Sequence, residues 1–389
     1  MTQARCIICG TPALVEFFAL DTVPVHCNIQ WEAREAARSA PSGDLRLVFC
    51  TECGHIFNRS FDPVRVEYSQ KYENSLHFSP FFESYAQGLA RRLVRKHGLA
   101  GKQILEIGCG KGEFLSFICG LAGSRGVGFD PSHVAENPGQ ADSRIRFVHE
   151  FYSADPQDFK PDLVICRHVL EHLPSPLDLL RNIRKAASGS DSRPVVFFEV
   201  PNVLFTLRDH GVWDLIYEHV SYFSPASLRR AFEQSGFEVE GVDEVYGGQF
   251  LQIEARPQVA PFAPVKAVND RLVGLVEGFA EAFDERVEWW GGRLEAVRRE
   301  GKRAVLWGAG SKGVTFLNTF KDLCPAVCAV DLNPRKHGRF LAGCGVQILA
   351  PEFLRELKPD LVLIANPLYQ AEIRSAVADL GLEPEFAVI

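Results

Sequence analysis

Residues 101–118 read GKQILEIGCGKGEFLSFI, and this stretch restricts the fold more than any other. An apolar strand, Gln103 to Ile107, runs straight into a turn holding Gly108, Gly110 and Gly112, and a helix starts near Gly112. Glycines let a ligand lie against the backbone, and a helix N-terminus favours an anionic group such as a carboxylate. The spacing is E-x-G-x-G-x-G from Glu106, which differs from the G-x-G-x-x-G dinucleotide pattern. A second strand, GVGFD, ends in Asp130, about 20 residues on, where an acid can bind both hydroxyls of a ribose. Then follow FKPDLVICRHVLEHL, a buried strand running into a helix, and RPVVFFEVPN, a strand ending in a carboxylate. Alternating strand and helix signals imply an α/β, doubly wound, Rossmann-like parallel sheet that binds ligands at its carboxyl ends.

The same grammar returns near the C-terminus. A proline-rich linker, PQVAPFAPVKA, leads to a helical stretch from about Val268 to Arg299 bearing Trp289 and Trp290. KRAVLWGAGSKGVTFLN then gives strand, G-x-G-x-x-G (Gly308, Gly310, Gly313) and helix, with Asp331 downstream. Only residues 301–389 remain for this unit, enough for half of a doubly wound fold. It reads as a substrate-binding domain, as a structural one, or as an NAD site. IANPLYQAEI (Asn366, Pro367, Tyr369) falls at a later strand's carboxyl end and is placed to join the same pocket.

Eleven cysteines is a high count, and four of them cluster as CIIC (Cys6, Cys9) and CTEC (Cys50, Cys53). A glycine follows each pair, Gly10 and Gly54, and lets backbone amides turn towards the thiolates. Two such knuckles form the four-sulfur tetrahedron that structural Zn²⁺ prefers. Cys27 and His55 are nearby, but four thiolates already close the shell. The spacing between the pairs exceeds that of a zinc ribbon, so a small excursion is expected between them.

At 389 residues, several domains are expected: 1–70 zinc-binding, 71–257 core, 258–300 linker and helical segment, 301–389 Rossmann-like. The composition, 46% hydrophobic and 23% charged, is that of a globular chain, and the net charge of −7 without basic runs argues against nucleic acid and membrane surfaces. No apolar run approaches the roughly 18 residues of a membrane span. MTQARCIICG lacks the apolar core of a secretory signal. The cytoplasm is the expected address, and a monomer or homodimer the expected state.

WDLIYEHVSYFS, from Trp213 to Ser224, sets Glu218 beside His219 among Tyr217, Tyr222 and Phe223. It follows FEVPN and a short helical segment, near the top of the sheet. An imidazole there suits a base working near neutral pH. Glu218 either raises the basicity of His219 or takes the proton itself, and Tyr217 and Tyr222 are candidates to donate to a developing oxyanion. The alternative is a structural Glu-His pair at a domain seam. Upstream, QKYENSLHFSPFF places Tyr72, Asn74 and His77 in a polar linker. His168 and His172, at i and i+4 of the expected helix, share a face: His168 towards cofactor or acceptor, His172 into packing.

From about Tyr85 to Arg256, LEIGCGKGEF and HVLEHLPSP resemble the class I S-adenosylmethionine-dependent methyltransferases. The resemblance implies that the glycine turn holds the methionine part of the cofactor and Asp130 its ribose. The expected cofactor set is Glu106, Gly108, Gly110, Gly112, Asp130, Pro131, Arg167 and His168. The whole order, four-cysteine domain, methyltransferase core, E-H-x-x-Y-F and Rossmann-like domain, resembles the sugar C-methyltransferases, which act on nucleotide-linked keto-deoxysugars. That resemblance implies His219 as base with Glu218, a tyrosine near the reacting group at Tyr72, and a small, possibly nucleotide-linked acceptor. One departure stands out: those enzymes read Tyr-His-Glu-His where this chain reads Ile216-Tyr217-Glu218-His219. A phenol is present, but one residue later. O- or N-methylation of another intermediate is the alternative.

Overall fold

In the computed structural model, residues 5–66, 72–133, 142–153, 159–187, 193–258, 270–323 and 326–389 are described. Most of the proline-rich linker therefore lies outside the described residues. The chain starts with an antiparallel sheet of β1 (Leu14–Pro24), β2 (Ser42–Cys50) and β3 (Ile56–Asn58). β1 and the short helix α1 (Arg34–Arg38) form the excursion between the two cysteine pairs.

Helix α2 (Pro80–His97) opens on an N-cap at Ser79, whose Oγ accepts from Phe82 N, and closes on left-handed Gly98. Then come β4 (Gln103–Ile107), α3 (Glu113–Ala122), β5 (Arg125–Phe129), β6 (Ile145–Val148), β7 (Leu163–Arg167), α4 (Pro176–Ala187), β8 (Val195–Pro201) and α5 (Val203–Arg208). After β9 (Ser221–Tyr222) follow α6 (Pro225–Gln234), β10 (Phe237–Val245) and β11 (Phe250–Pro257). Seven strands form one sheet in the order β10-β11-β8-β7-β4-β5-β6. From β6 to β8 all are parallel, and β11 runs antiparallel to both β8 and β10. β7 is buried at every position, as a central parallel strand covered on both faces must be. One expectation fails here. No α-helix follows β7 directly: His168 has a left-handed backbone (φ 55°) and residues 170–172 form a 3-10 turn.

The last sheet follows α7 (Asp270–Glu277) and α8 (Phe279–Arg299). It comprises β12 (Ala304–Trp307), α9 (Ser311–Thr319), β13 (Ala326–Val330), β14 (Ile348–Leu349), α10 (Leu354–Leu357), β15 (Leu361–Ile364), α11 (Gln370–Asp379) and β16 (Glu385–Val388). Its five strands are parallel in the order β14-β13-β12-β15-β16. This is more than the half fold expected, because strands flank β12 on both sides and create a switch point between β12 and β15.

The N-terminal and C-terminal sheets share one apolar cluster with α8 and the Trp213 loop. Leu45 and Leu47 of β2, Trp213, Phe283 and Trp290 of α8 and Phe316 of α9 belong to it. Trp290 is fully buried while its neighbour Trp289 is exposed, so α8 is a packed element as well as a connector. β9 also crosses between the parts: Tyr222 pairs with Ile56 and Ser221 with Phe57, making the middle of the chain the fourth strand of the N-terminal sheet.

Candidate active site between two glycine turns

Both glycine turns open into one cavity, which Tyr72 and residues 74–79 also line. At the first turn, Gly108, Gly110 and Gly112 all have positive φ (71°, 55° and 85°). A Cβ on Gly108 would lie 2.1 Å from a Val169 methyl, so glycine is required there for space as well as conformation. Asp130 stands just behind the cavity lining. Its Oδ2 accepts from Gly110 N at 2.8 Å and its Oδ1 from Ser132 N at 2.7 Å. Pro131 lies between them and is not part of the lining. Glu106 lines the cavity at the end of β4, only 3% exposed, and its Oε2 has no hydrogen-bond partner. Burial pushes its carboxyl up to about 8, with Arg167 opposing.

A buried charge network supports this floor. Glu199 of β8 accepts from Arg167 Nε at 3.0 Å, from Gln252 Nε2 at 2.9 Å and from the Tyr85 phenol. Burial alone would raise Glu199, but Arg167 and His168 hold it well below the usual carboxylate range. The Arg167 guanidinium also lies 4.3 Å above the Phe114 ring. His168 stands between Glu199 (3.2 Å) and Glu171 (3.7 Å). Burial would lower its imidazole, yet the two carboxylates outweigh that and lift it to about 9. The two carboxylates thus favour the protonated imidazole at His168.

His219 is the opposite case. Its ring lines the cavity, and burial reinforced by His172, His168 and Lys312 lowers it well below the ordinary value. A neutral imidazole thus faces the cavity from the loop before β9. Its sequence neighbours do not accompany it. Glu218 is fully buried and points towards the N-terminal sheet, with Oε2 accepting from Cys27 N at 3.3 Å and Oε1 lying 3.5 Å from His26 Nδ1. Tyr217 also turns away: its ring stacks on Phe61 at 5.5 Å and its hydroxyl accepts from Asp62 N at 2.9 Å. The Tyr222 hydroxyl donates to Ile216 O at 2.9 Å, closing its own loop, and burial pushes that phenol up. Neither tyrosine lines the cavity. The stretch is irregular, so each side chain follows its loop's packing.

Of the linker residues, Tyr72, Asn74 and His77 all line the cavity, and Tyr72 Oη accepts from Asn28 Nδ2 at 3.2 Å. His172, expected to serve packing, lines it as well; its Nδ1 lies 3.0 Å from the Glu218 carbonyl oxygen, and its ring centroid 4.9 Å from that of His219.

The second turn faces the same space. Gly308, Gly310 and Lys312 line it, and Lys312 Nζ pairs with Asp214 at 2.7 Å. Asp331 Oδ2 accepts from Ala309 N at 2.9 Å and meets the buried Lys336 Nζ at 3.2 Å. Asn366 and Gln249 exchange a reciprocal amide pair (2.9 and 3.0 Å) across the seam with the central sheet.

Comparison with known proteins agrees with this architecture. Residues 81–242 match the family model of a methyltransferase domain, and residues 271–382 match the C-methyltransferase C-terminal domain. The C-methyltransferase NovU of Streptomyces niveus is 24% identical over 395 residues, covering 95% of this chain and 91% of that one. A ubiquinone biosynthesis O-methyltransferase of Aromatoleum aromaticum is 31% identical over 165 residues, 37% of this chain and 67% of that protein. The chain belongs to the S-adenosylmethionine-dependent methyltransferases.

In this methyltransferase the four cysteines come together as the spacing required. Cys6 Sγ lies 3.6 Å from Cys53 Sγ, Cys9 Sγ lies 3.5 Å from Cys50 Sγ, and the four sulfurs are mutually within 4.8 Å. Gly10 and Gly54 have positive φ, 74° and 72°, as the knuckle turns demand. Cys27 and His55 stay outside the cluster. No helix among the described residues is long and apolar enough to cross a membrane. Motif reading missed Glu171, Gln249, Lys312 and Lys336 on the methyltransferase's cavity wall. Glu171 and Lys312 had a signal, since each stands inside a quoted motif, between His168 and His172 and inside GAGSKG. Gln249 and Lys336 had none.

Proposed function

We propose that this methyltransferase alkylates a carbon beside a carbonyl in a nucleotide-linked keto-sugar. The observation that carries the reading is one cavity joining the two glycine turns, with the neutral His219 imidazole on its wall. S-adenosylmethionine supplies a methyl on a sulfonium, already electrophilic, so the protein's task is to hold both ligands and activate the acceptor. The first turn fits the cofactor. The unmet, buried Glu106 Oε2 suits its ammonium group, and the three positive-φ glycines leave the backbone open to its carboxylate. Asp130 is the acid for the ribose hydroxyls.

At the second turn, Lys312 and the N-terminus of α9 suit the diphosphate of the acceptor. Lys336 on Asp331 argues against an NAD ribose there, since the acid that would hold a diol is already neutralised. His219 takes the proton from the acceptor carbon. Tyr72 is the phenol that the family pattern seeks near the reacting group, now that Tyr217 and Tyr222 face elsewhere. The four sulfurs fit a closed, structural Zn²⁺ site with no position for substrate.

The test is transfer of an isotope-labelled methyl to a panel of keto-deoxysugar nucleotides and unrelated acceptors, with the labelled atom located by NMR. Label on carbon beside a carbonyl supports the reading. Label on oxygen removes it in favour of O-methylation, which the withdrawal of Tyr217 and the similarity of the core to O-methyltransferases favour as the second reading.

A further inference from the structure

We propose that Glu171, His172 and His219 form a divalent-cation site on the cavity wall, separate from the four-cysteine set. One oxygen of Glu171 and one ring nitrogen of each histidine lie within 4.8 Å of one another. Two imidazoles and a carboxylate are a donor set that zinc, cobalt and manganese accept, whereas calcium and magnesium prefer oxygen alone. All three residues line the cavity, which leaves coordination positions open towards water or acceptor. Closing the set round an ion, with bonds of about 2.0–2.2 Å, takes a movement of roughly 1 Å per ligand atom, within reach of side-chain rotation.

A second, independent observation points to a ligand here. The Glu171 side chain is 1% exposed, and its Oε2 has no hydrogen-bond partner. Its other oxygen lies 4.0 Å from His172 Nε2 and 3.7 Å from His168 Nδ1. A buried carboxylate with one oxygen unmet is a cost to the fold, and a cation held by both of its oxygens, or after rotation of the group, would relieve it. The surroundings are built as for a ligand shell. The backbone carbonyl of Glu218 at His172 Nδ1 fixes that ring's tautomer and aims Nε2 at Glu171. Val220 N donates to Glu171 O at 2.9 Å, which ties the loop of His219 to that of the other two ligands.

The consequence rests on the proposed base role. A His219 lone pair given to a cation cannot take a proton, so loading this site inhibits methyl transfer to carbon.

The test is equilibrium dialysis of the full chain against Co²⁺, with metal counted per chain and visible absorption recorded. Beyond the thiolate-bound cobalt, with its sulfur-to-metal charge-transfer bands, one further ion per chain should appear with nitrogen and oxygen character only. Glu171→Gln and His172→Asn should each lose that ion while S-adenosylmethionine affinity reports an intact fold. Equal metal content in the wild type and both variants, or content never exceeding the thiolate set, overturns the site and leaves the base reading untouched. Turnover that falls as the second ion loads supports site and base together. Turnover that rises keeps the site and removes His219 as the base.

Discussion

The two glycine turns share a backbone plan and differ in charge. Each runs from a buried parallel strand into glycines and a helix, and each has an acid at the end of the next strand that accepts from a turn amide, Asp130 from Gly110 N and Asp331 from Ala309 N. At the first turn, the buried Glu106 keeps an unmet oxygen towards the cavity. At the second, Asp331 is met by Lys336, and Lys312, paired with Asp214, lines the same cavity. In the proposed function the first takes a ligand carrying positive charge and the second one carrying negative charge. Glycines fix where a ligand can touch the backbone; the sign of the ligand is set by residues that no glycine motif contains.

The largest effect should come from the group between the turns. His219→Gln should lower kcat by about two to four orders of magnitude, the scale of general-base catalysis, while both ligands still bind. Near-normal turnover in a transfer assay would leave the turns without a reacting group between them. Next come paired deletions read by calorimetry and steady-state kinetics. Asp130→Ala should weaken S-adenosylmethionine binding by roughly tenfold or more and leave the acceptor KM nearly unchanged. Lys312→Ala should do the reverse by a similar factor, each losing a charged hydrogen bond of about 1.5–3 kcal/mol. If both variants shift the same ligand, the division of labour between the turns is wrong.

Glycine replacements compare the turns sterically. Gly108→Ala meets both a positive φ and Val169, so it should cost roughly 1–3 kcal/mol in chemical denaturation. Gly310→Ala, at an ordinary φ of −106° with nothing within 4 Å, should be near neutral for stability. The smallest effect concerns pH. Burial raises the folded carboxyl of Glu106 to about 8, so at neutral pH it is largely protonated in the free protein. A cationic ligand favours the carboxylate, so binding releases a proton: affinity for S-adenosylmethionine should rise as pH approaches about 8 and level off above it. The same shift means that Glu106 contributes stability below the ordinary carboxyl pKa of about 4.3, lost as pH rises through about 8. Glu106→Gln should flatten the binding profile.

The strands and glycine turns were legible because their signals are local. β4 spans Gln103–Ile107 as its apolar run implied, and α3 begins one residue after Gly112. The cysteine knuckles were legible for the same reason. His168 and His172 were misassigned to a helix because His168 takes a left-handed turn and meets Glu199 of β8, a group distant in sequence. The directions of Glu218 and Tyr217 were illegible because an irregular segment has no period from which to assign faces, and Tyr222 lies on a strand only two residues long. Two of their partners, Cys27 and Asp62, come from the distant N-terminal part of the chain, and the third is Ile216. The second Rossmann-like unit was underestimated because β14 and β15 are only two and four residues long and carry little signal.

The strand Ser221–Tyr222 bears on how such proteins can be recombined. Because it completes a sheet begun by the cysteine-bearing segment, the three parts are not interchangeable cassettes. A central domain excised from its neighbours would bring along a strand with no edge to join and a His219 loop with one anchor missing. A graft of a foreign N-terminal segment would have to restore the register of Ile56 with Tyr222 before it could restore turnover. Exchange between relatives should therefore move the first and second parts together, and the third with them, since Phe316 of α9 packs on Trp213.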